Sequence, residues 1–348
     1  MGEDLRVVNE HLNAAEFLAA AAAKVDPAVW CYFEGGAGDE ITLQENVAAL
    51  GRWQLRPRVL VDVSDVRLET TLLGARVAMP IGVAPFAMQR LLDPAAEMAT
   101  AHAAAAAGAL MTVPTLTSFR HAELQAAVDG PRWLQLYVQR DRALTRDHLA
   151  EAREAGYGAV VLTVDLPLIG RRERDLRLGF AVPDDLPVHY GTLLDIDPSV
   201  TWSDLEWIRA ATELPLVLKG IATREDAELA VEHGVEAVWV SNHGGRQLDG
   251  AAASIDALPE VVAAAAGRCE VYVDGGFRRG SDVVKALALG ARAAFVGRPI
   301  AAGLAVGGEA GVARVLELLR DELELALGLV GCTRPDEVTL GHVQRPRA

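Results

Sequence analysis

The chain has 348 residues, 51% of them hydrophobic and 23% charged, with a formal net charge of −15 at pH 7. This composition is typical of a soluble globular protein with a sizeable core, and the acidic balance argues against a nucleic-acid partner, which would favour a basic surface. The N-terminus lacks a signal-peptide core, the apolar runs are too short to span a bilayer, and the three cysteines have neither metal nor disulfide spacing. We therefore expect a cytoplasmic protein without membrane association, disulfides or a bound metal.

The first 75 residues are predicted to form a cap on the rest of the chain. Helices are predicted over about residues 13–24 and 38–50, followed by an extended segment at 52–56. This stretch lacks the regular alternation that comes after it. We interpret it as a helical cap packed on a larger domain.

From about residue 80 a short apolar strand, a turn with Gly or Pro and an alanine-rich helix alternate along the chain. Strands that are apolar along their whole length indicate a parallel sheet buried on both faces. The predicted strands cover residues 81–85, 111–115, 133–138, 159–165, 215–220, 237–242, 271–276 and 293–298, and the predicted helices cover 94–108, 119–129, 142–156, 224–234, 254–266 and 281–290. Eight such units predict an α/β fold, a closed (β/α)8 TIM barrel over residues 76–335 with a C-terminal tail at 336–348.

An open doubly wound sheet is the alternative fold. It would favour a glycine-rich dinucleotide turn after its first strand, and here that turn reads Ala84-Pro85-Phe86-Ala87-Met88. A long connection rich in Pro, Asp and Gly, residues 166–203, follows the fourth strand. Barrel enzymes place their chemistry at this end of the strands, so we predict that the connection is a lid or a pocket wall.

The segment Ser241-Asn242-His243-Gly244-Gly245-Arg246-Gln247-Leu248-Asp249 follows the sixth predicted strand. His243 can take a proton near neutral pH, and Arg246 can bind a carboxylate through two parallel hydrogen bonds. A surface histidine is the alternative interpretation. The position at a strand end, on glycine-rich backbone, favours proton abstraction from a molecule that carries a carboxylate.

Two further charged residues end apolar strands. Asp165 either caps the following segment or orients a nearby imidazole and stabilises its charge, and we favour the second role. Lys219 either extends into water or holds its ammonium against a group that becomes negative during a reaction. The local sequence leaves these two roles of Lys219 open.

The turns after the seventh and eighth strands combine glycine with arginine, in Asp274-Gly275-Gly276-Phe277-Arg278 and Gly297-Arg298. Barrels often hold a phosphate at this position, on backbone N–H groups and a helix N-terminus. Solvated arginines in tight turns are the alternative. A phosphate in a barrel without metal spacing suggests a phosphate-bearing cofactor.

The long connection contains Arg171 and Arg172. One of these two arginines could turn inward and bind the substrate carboxylate together with Arg246.

With these residues identified, the chain resembles the FMN-dependent L-2-hydroxy acid oxidases and dehydrogenases, a family that includes glycolate, lactate and mandelate-oxidising enzymes. The resemblance covers residues 12 to 335. It rests on the segment 241–249 and on Leu134-Gln135-Leu136-Tyr137, Leu162-Thr163-Val164-Asp165 and Asp274-Gly275-Gly276. Four motifs in order on the expected strands are far more specific than one glycine-rich match.

The resemblance implies a role for each of these residues. His243 would be the base, Asp165 would stabilise its imidazolium, Lys219 would face the flavin, and Tyr137 would hydrogen-bond the substrate. The substrate carboxylate would be bound by Arg246 and Arg172. The FMN site would comprise Pro85, Phe86, Ala87, Gln135, Thr163, Lys219, Ser241, Asp274, Gly275, Gly276, Arg278, Gly297 and Arg298. The resemblance also implies a homotetramer.

Three positions depart from the glycolate oxidase pattern. Trp30 is aligned with a tyrosine that touches the substrate carboxylate, which implies either a pocket reshaped for a bulkier substrate or a weaker hold on the carboxylate. Pro114 stands where a serine contacts flavin, and Leu116 replaces a tryptophan that lines the glycolate pocket. We therefore expect Trp30 and Leu116 to line a pocket for a larger, aryl-type 2-hydroxy acid such as mandelate.

Three functions are consistent with these residues. The first is an oxidase that passes electrons to dioxygen and releases hydrogen peroxide. The second is a dehydrogenase with the same first half-reaction that passes electrons to a quinone or a carrier protein. The third is a barrel that binds FMN without turnover, which Trp30 and Pro114 motivate. The oxidase is the leading hypothesis.

Overall fold

The computed structural model describes residues 8–192 and 195–345, and its centre is a closed barrel of eight parallel strands. Each strand pairs with the next in the chain, and the last pairs with the first. We label them β1 to β8: Ile81–Val83, Met111–Val113, Arg132–Leu136, Val160–Thr163, Leu216–Ile221, Ala237–Val240, Glu270–Asp274 and Ala293–Val296. The predicted (β/α)8 barrel is confirmed, and seven of its eight strands are shorter than predicted because their ladders end where the following turns begin.

Large aromatic side chains fill the interior of the barrel. The rings of Trp239 and Phe295 have centroids 3.9 Å apart, and those of Trp133 and Tyr272 are 5.3 Å apart. All four residues are at most 1% exposed. Gly82 on β1 makes room for this packing, because a Cβ there would lie 2.3 Å from the Phe295 ring. The interior of the barrel is therefore a packed core and not a pore.

Helices cover the outside of the barrel: Ala96–Ala106, His121–Ala127, Arg142–Glu154, Asp204–Ala211, Arg224–Glu232, Ser254–Ala265, Gly280–Ala288 and Arg298–Val330. Six of them were predicted within a few residues. The helices Asp204–Ala211 and Arg298–Val330 were not in the prediction.

The helix Arg298–Val330 is long and apolar enough by composition to cross a membrane, the one such helix among the residues described. However, 61% of its most apolar window is buried inside the protein. Gly307 and Gly308 interrupt it with non-helical backbone angles, and it packs against the helices Ala14–Lys24 and Ala96–Ala106. These features are typical of a core helix in a globular domain.

The N-terminal region contains the helices Ala14–Lys24, Pro27–Glu34 and Ile41–Arg52. The first and third agree with the prediction, whereas Pro27–Glu34 was missed because its aromatic and β-branched residues have low helix propensity. A start signal was present nevertheless. The Asp26 side chain accepts from the backbone N–H groups of Ala28 and Val29, and Pro27 occupies the first turn.

Two short antiparallel pairs complete the fold. Gln54–Leu55 pairs with Val343–Gln344, which joins the predicted cap to the predicted C-terminal tail. Thr70–Leu72 pairs with Ala75–Val77. The long connection after β4, which we call the lid (residues 166–203, of which 193 and 194 lie outside the described residues), contains the short helix Glu173–Leu178.

Candidate active site

The carboxyl ends of the strands surround a cavity of about 1080 Å³, a volume that includes its open mouth. Among the residues described, five cationic side chains and one carboxylate line it. The chain as a whole is acidic, so the cavity is a local region of positive potential that suits an anionic ligand. The predicted site residues that line it are Pro85, Phe86, Ala87, Leu116, Gln135, Tyr137, Thr163, Arg172, Lys219, His243, Arg246, Asp274, Gly275, Gly276, Arg278, Gly297 and Arg298.

His243 follows β6 in a left-handed backbone conformation with φ of 59°, and Gly244 and Gly245 continue this conformation at 66° and 75°. A histidine in this region is strained, and such strain persists only where the surroundings hold it. Here the Ser241 hydroxyl accepts the His243 backbone N–H at 3.0 Å, and the Asn242 side chain accepts that of Gly245 at 3.1 Å. The turn thereby directs the imidazole into the cavity.

Asp165 lies behind the imidazole, as predicted, with 2.9 Å between its Oδ1 and Nδ1 of His243. Burial would raise the pKa of Asp165, but the neighbouring His243 and Lys219 hold it below its usual value. Burial lowers the pKa of His243, against the opposing influence of Asp165. At neutral pH the pair is therefore a neutral imidazole beside a carboxylate. This is the state in which Nε2 can accept a proton, and the carboxylate can stabilise the resulting charge.

Tyr137 faces the same nitrogen of His243. Its hydroxyl oxygen is 3.5 Å from Nε2, and its backbone N–H donates to the Thr115 hydroxyl at 2.9 Å. Burial and the nearby Asp165 raise the pKa of Tyr137 above its usual value. The phenol therefore stays protonated and can donate a hydrogen bond to a ligand beside the imidazole.

Lys219 is buried at 4% exposure, which excludes the interpretation that it extends into water. Its ammonium donates to the Ser241 hydroxyl at 2.9 Å and lies 3.3 Å from Asp274 Oδ2. Ser241 donates in turn to Asp274 Oδ1 at 2.7 Å. This network holds the Lys219 side chain in place inside the protein, and Asp274 is its ion-pair partner among the described residues.

Ser241, predicted to lie in the FMN site, connects two residues of the cavity wall. Its hydroxyl accepts from Lys219 and from the His243 backbone and donates to Asp274. Ser241 itself is not part of the cavity wall. Its hydroxyl therefore organises Lys219, Asp274 and the His243 turn, and a contact of Ser241 with the cofactor stays a prediction.

The two arginines predicted to bind a carboxylate both reach the cavity. Arg246 donates to the Gly35 carbonyl at 3.0 Å and to that of Tyr32, and burial together with the nearby Arg172 lowers its pKa to about 10. Arg172 turns inward while Arg171 stays 78% exposed. The Nε atom of Arg172 is buried without a hydrogen-bond partner among the described residues. An orphaned buried donor beside a second cation indicates a missing anionic ligand.

The prediction that Trp30 contacts the substrate is wrong. Trp30 is 4% exposed, packs against Phe33 and is not part of the cavity wall. Residues two apart on a helix point in nearly opposite directions, and on Pro27–Glu34 it is Tyr32 that faces the cavity. The Tyr32 ring lies 4.9 Å from the Arg246 guanidinium and 5.8 Å from that of Arg172. The cavity wall therefore contains an aromatic side chain with a hydroxyl group, that of Tyr32. The interpretation of the sequence had placed Trp30, without a hydroxyl, at this position.

Leu116 and Pro114 lie where the sequence placed them, on the cavity wall. Leu166, at the start of the lid, joins them there and was not singled out from the sequence. The side chains of Leu116 and Leu166 are 2% and 4% exposed. This side of the cavity is apolar, with room left by residues smaller than an aromatic ring.

The glycine–arginine turns also reach the cavity, but their two arginines differ. Arg278 donates one hydrogen bond to the Phe277 carbonyl, and among the described residues its other guanidinium nitrogens have no acceptor. Arg298 donates to the carbonyls of Glu34, Gly244 and Gly35, each at 2.9 Å. Burial lowers the pKa of both, that of Arg278 to about 10. Arg278 is thus free to bind a phosphate, whereas Arg298 mainly fastens the cap to the His243 turn.

These features fit a flavin mononucleotide. The first turn of the helix at Arg298 has no side-chain cap, so its N–H groups can donate to a phosphate beside Arg278. The amide of Gln135 is fixed by Thr115 and Thr163 at 3.1 Å on each side. Between the phosphate site and the Gln135 amide, Lys219 offers a cation and Asp274 offers a hydrogen-bond acceptor. The cavity therefore has hydrogen-bonding groups for a phosphate, a polyol chain and a heteroaromatic ring.

Comparison with known proteins gives a consistent result. Residues 21–345 match the family model described as FMN-dependent dehydrogenase. The chain is 45% identical to an L-lactate oxidase from Nostoc sp., over 96% of this chain and 98% of the relative, and 43% identical to a glycolate oxidase from Spinacia oleracea, over 96% of each. A solved structure of a mandelate oxidase variant with (S)-mandelic acid superposes with a TM-score of 0.92 at 43% identity, covering 97% of this chain and 99% of the other.

The chain therefore belongs to the FMN-dependent dehydrogenase family, as its four motifs predicted. It is an FMN-dependent oxidoreductase of the group that contains the 2-hydroxy acid oxidases.

Proposed function

We propose that the protein oxidises an (S)-2-hydroxy acid to the 2-oxo acid, that dioxygen then reoxidises the cofactor and is released as hydrogen peroxide, and that the preferred substrate is large or aryl, like mandelate. One observation carries the reaction. A neutral His243 backed by Asp165 faces the same cavity as Arg172 and Arg246. A base beside two arginines that can bind a carboxylate suits a substrate acid whose reacting carbon is next to its carboxylate group.

The residues of the chain divide the work as follows. Arg246 and Arg172 bind the carboxylate, and Tyr137 donates to an oxygen of the substrate. His243 removes a proton at the α-carbon or its hydroxyl, and Asp165 stabilises the imidazolium. FMN supplies the two-electron acceptor. Lys219 keeps a fixed positive charge at the cavity wall, where it favours negative charge that develops nearby.

The preference for a larger substrate rests on the apolar side of the cavity. Leu116 and Leu166 leave space there without adding a polar group that would reject an aromatic ring. The structural neighbours support this choice, since they include mandelate oxidase with (S)-mandelic acid and with (S)-4-hydroxymandelic acid. Trp30 does not contribute to this substrate preference, because it lies outside the cavity wall.

An oxygen electrode with a peroxide assay tests the acceptor and the substrate together. We expect the purified holoenzyme to consume dioxygen and release peroxide with (S)-mandelate faster than with lactate or glycolate. A cofactor that is bleached by substrate without oxygen uptake would instead indicate a dehydrogenase with a quinone or protein acceptor. The highest kcat/KM for glycolate would contradict the proposed substrate class.

We also propose a cytoplasmic homotetramer. The tetramer rests on the family resemblance alone and the location on the sequence pattern alone, and light scattering of the purified holoenzyme tests the subunit number.

A further inference from the structure

An ion-pair cluster joins the lid to the cap just outside the cavity. Arg174, on the lid helix Glu173–Leu178, donates through Nη1 to Glu34 at 2.8 Å and through Nε to Glu40 at 2.9 Å. A second donor, Nη2, also reaches Glu40, so that contact is bidentate. Among the charged pairs, bidentate contacts of arginine with a carboxylate have the most defined geometry. We call Arg174, Glu34 and Glu40 the clasp.

The cap side of the clasp is continuous with the active site. Glu40 also accepts the Gly36 backbone N–H at 2.8 Å. The adjacent Gly35 carbonyl accepts from Arg246 at 3.0 Å and from Arg298 at 2.9 Å. The Ala37 N–H donates to the Gly245 carbonyl at 2.8 Å, in the turn that carries His243. A displacement of this segment would therefore reach both Arg246 and the base.

The lid side of the clasp flanks Arg172. The carbonyl of Arg171 accepts the Gly38 N–H at 2.9 Å, and the Phe180 ring stacks on Tyr32 with 4.9 Å between centroids. Arg172 itself makes no side-chain hydrogen bond to a described residue, and its Nε is buried without a partner. Its orientation is therefore set by its neighbours in the lid and by contact with Tyr32.

We propose that Arg174 is a positioning residue, which by binding Glu34 and Glu40 holds Arg172 at the cavity in the orientation that binds a carboxylate. This inference rests on the proposed function insofar as the ligand carries a carboxylate. A role in global stability alone is the competing explanation. Arg174 and Glu34 are 36% and 40% exposed, and an ion pair this exposed contributes little to folding stability. Glu40 is only 17% exposed, so the melting temperature of each variant is measured to separate the two explanations.

The test compares Arg174→Ala with Arg177→Ala. Arg177 lies on the same short helix and pairs with Glu173 at 2.7 Å, but it is 76% exposed and makes no hydrogen bond or ion pair with the described residues of the cap. The readout is the Kd of benzoylformate and of benzoate, measured from the perturbation of the absorbance of bound FMN, with no turnover required. We expect about a tenfold weaker Kd in Arg174→Ala, the loss of one well-oriented charged hydrogen bond, and a wild-type Kd in Arg177→Ala.

A double-mutant cycle shows whether Arg174 acts through Arg172. In an Arg172→Met background, Arg174→Ala should change the Kd by less than about twofold, since the residue it positions is gone. The variant Glu34→Gln with Glu40→Gln should reproduce the Arg174→Ala Kd. Melting temperature and FMN content should match wild type in each variant.

Three results would overturn the proposal: equal Kd values in Arg174→Ala and Arg177→Ala, a full Arg174→Ala effect in the Arg172→Met background, or no carboxylate binding by the wild type. Failure of the proposed function is recognised separately. In that case the wild type binds the carboxylates and shows the clasp effect, but no 2-hydroxy acid reduces its cofactor.

Discussion

The barrel interior and the barrel mouth are built from the same eight strands but differ in the side chains that they bury, aromatic rings in the interior and charged groups at the mouth. In the interior, Trp133, Trp239, Tyr272 and Phe295 pack ring against ring, and the Tyr272 hydroxyl donates to Glu270 at 2.5 Å. Trp239 Nε1 has no hydrogen-bond partner among the described residues, but it is an uncharged group. At the mouth, a few residues further along the strands, charged groups are buried with too few partners. Asp165 Oδ2 and Arg172 Nε have none among the described residues.

This difference separates stability from function. Aromatic packing stabilises the fold, whereas buried and unpaired charges destabilise it and persist where a ligand completes them. Changes at the mouth should therefore remove activity and leave the fold intact, and changes in the interior should do the reverse. The following predictions are ordered by the size of the expected effect.

Replacing His243 by alanine should have the largest effect. Loss of a general base lowers the rate of substrate oxidation by about 10²–10⁴-fold. FMN should stay bound, because Arg278, Gln135 and Lys219 are unchanged. Anaerobic stopped-flow absorbance measures the rate of flavin reduction, and the protein-bound flavin is quantified separately. Near-normal reduction would show that another group is the base.

Replacing Asp165 by asparagine should lower the limiting rate by about 10²–10³-fold, since the imidazolium loses its counter-charge. The pH profile of the Asp165→Asn variant tests the same assignment, because the direction in which its acid limb moves can be predicted. Reduction requires neutral His243, so kcat/KM should rise with pH through the His243 pKa and reach a plateau above it. The Asp165 carboxylate raises the His243 pKa. Its removal should therefore move the acid limb to lower pH, and an unchanged or upward-shifted limb would contradict the assignment.

Replacing Arg246 by methionine should lower kcat/KM by about 10²-fold, because the arginine binds the carboxylate in the substrate complex and in the transition state alike. The Kd of benzoylformate should rise by a similar factor. Arg171→Met is the matched control, since its side chain is 78% exposed. Equal kinetics in the two variants would exclude Arg246 as a carboxylate ligand.

Replacing Leu116 by tryptophan should invert the substrate preference. The larger ring fills the apolar side of the cavity and should lower kcat/KM for (S)-mandelate by about 10–100-fold, with little change for glycolate. Steady-state oxygen uptake with both substrates measures the ratio. A parallel loss for both acids would mean that the substitution damages the site in general.

Replacing Trp133 by leucine should have the opposite signature. Loss of packing in the interior should destabilise the protein by about 2–4 kcal/mol and lower its melting temperature. The Kd of benzoylformate and the limiting rate of reduction should stay within about twofold of wild type. A large kinetic change at unaltered stability would remove the distinction between interior and mouth.

The sequence predicted the regular part of the molecule well. The eight strands could be located because each is an apolar run bounded by turn residues, and the contact between His243 and Asp165 followed from two polar residues at strand ends in one barrel. These are consequences of local pattern and of the symmetry of the barrel, which brings the ends of the strands together.

The sequence did not predict the contacts made by the cap and the lid. Trp30 was taken for the aromatic at the cavity because it was aligned with a tyrosine of the glycolate oxidase pattern, and the helix Pro27–Glu34 places Tyr32 there instead. Arg298, predicted to bind phosphate, lines the cavity and also donates to the backbone carbonyls of Glu34 and Gly244, contacts that the sequence did not indicate. Arg174 and Glu34 are 140 residues apart in the chain. Pairs of this kind depend on how two irregular segments dock, which no local pattern records.

Anaerobic reduction of the bound flavin by the two enantiomers of mandelate tests whether His243 begins the oxidation of an (S)-2-hydroxy acid. We expect that (S)-mandelate bleaches the flavin of the wild-type holoenzyme in a single turnover, that (R)-mandelate does not, and that neither does so in His243→Ala. Flavin that stays oxidised in the wild type with (S)-mandelate, lactate, glycolate and long-chain 2-hydroxy acids would contradict it.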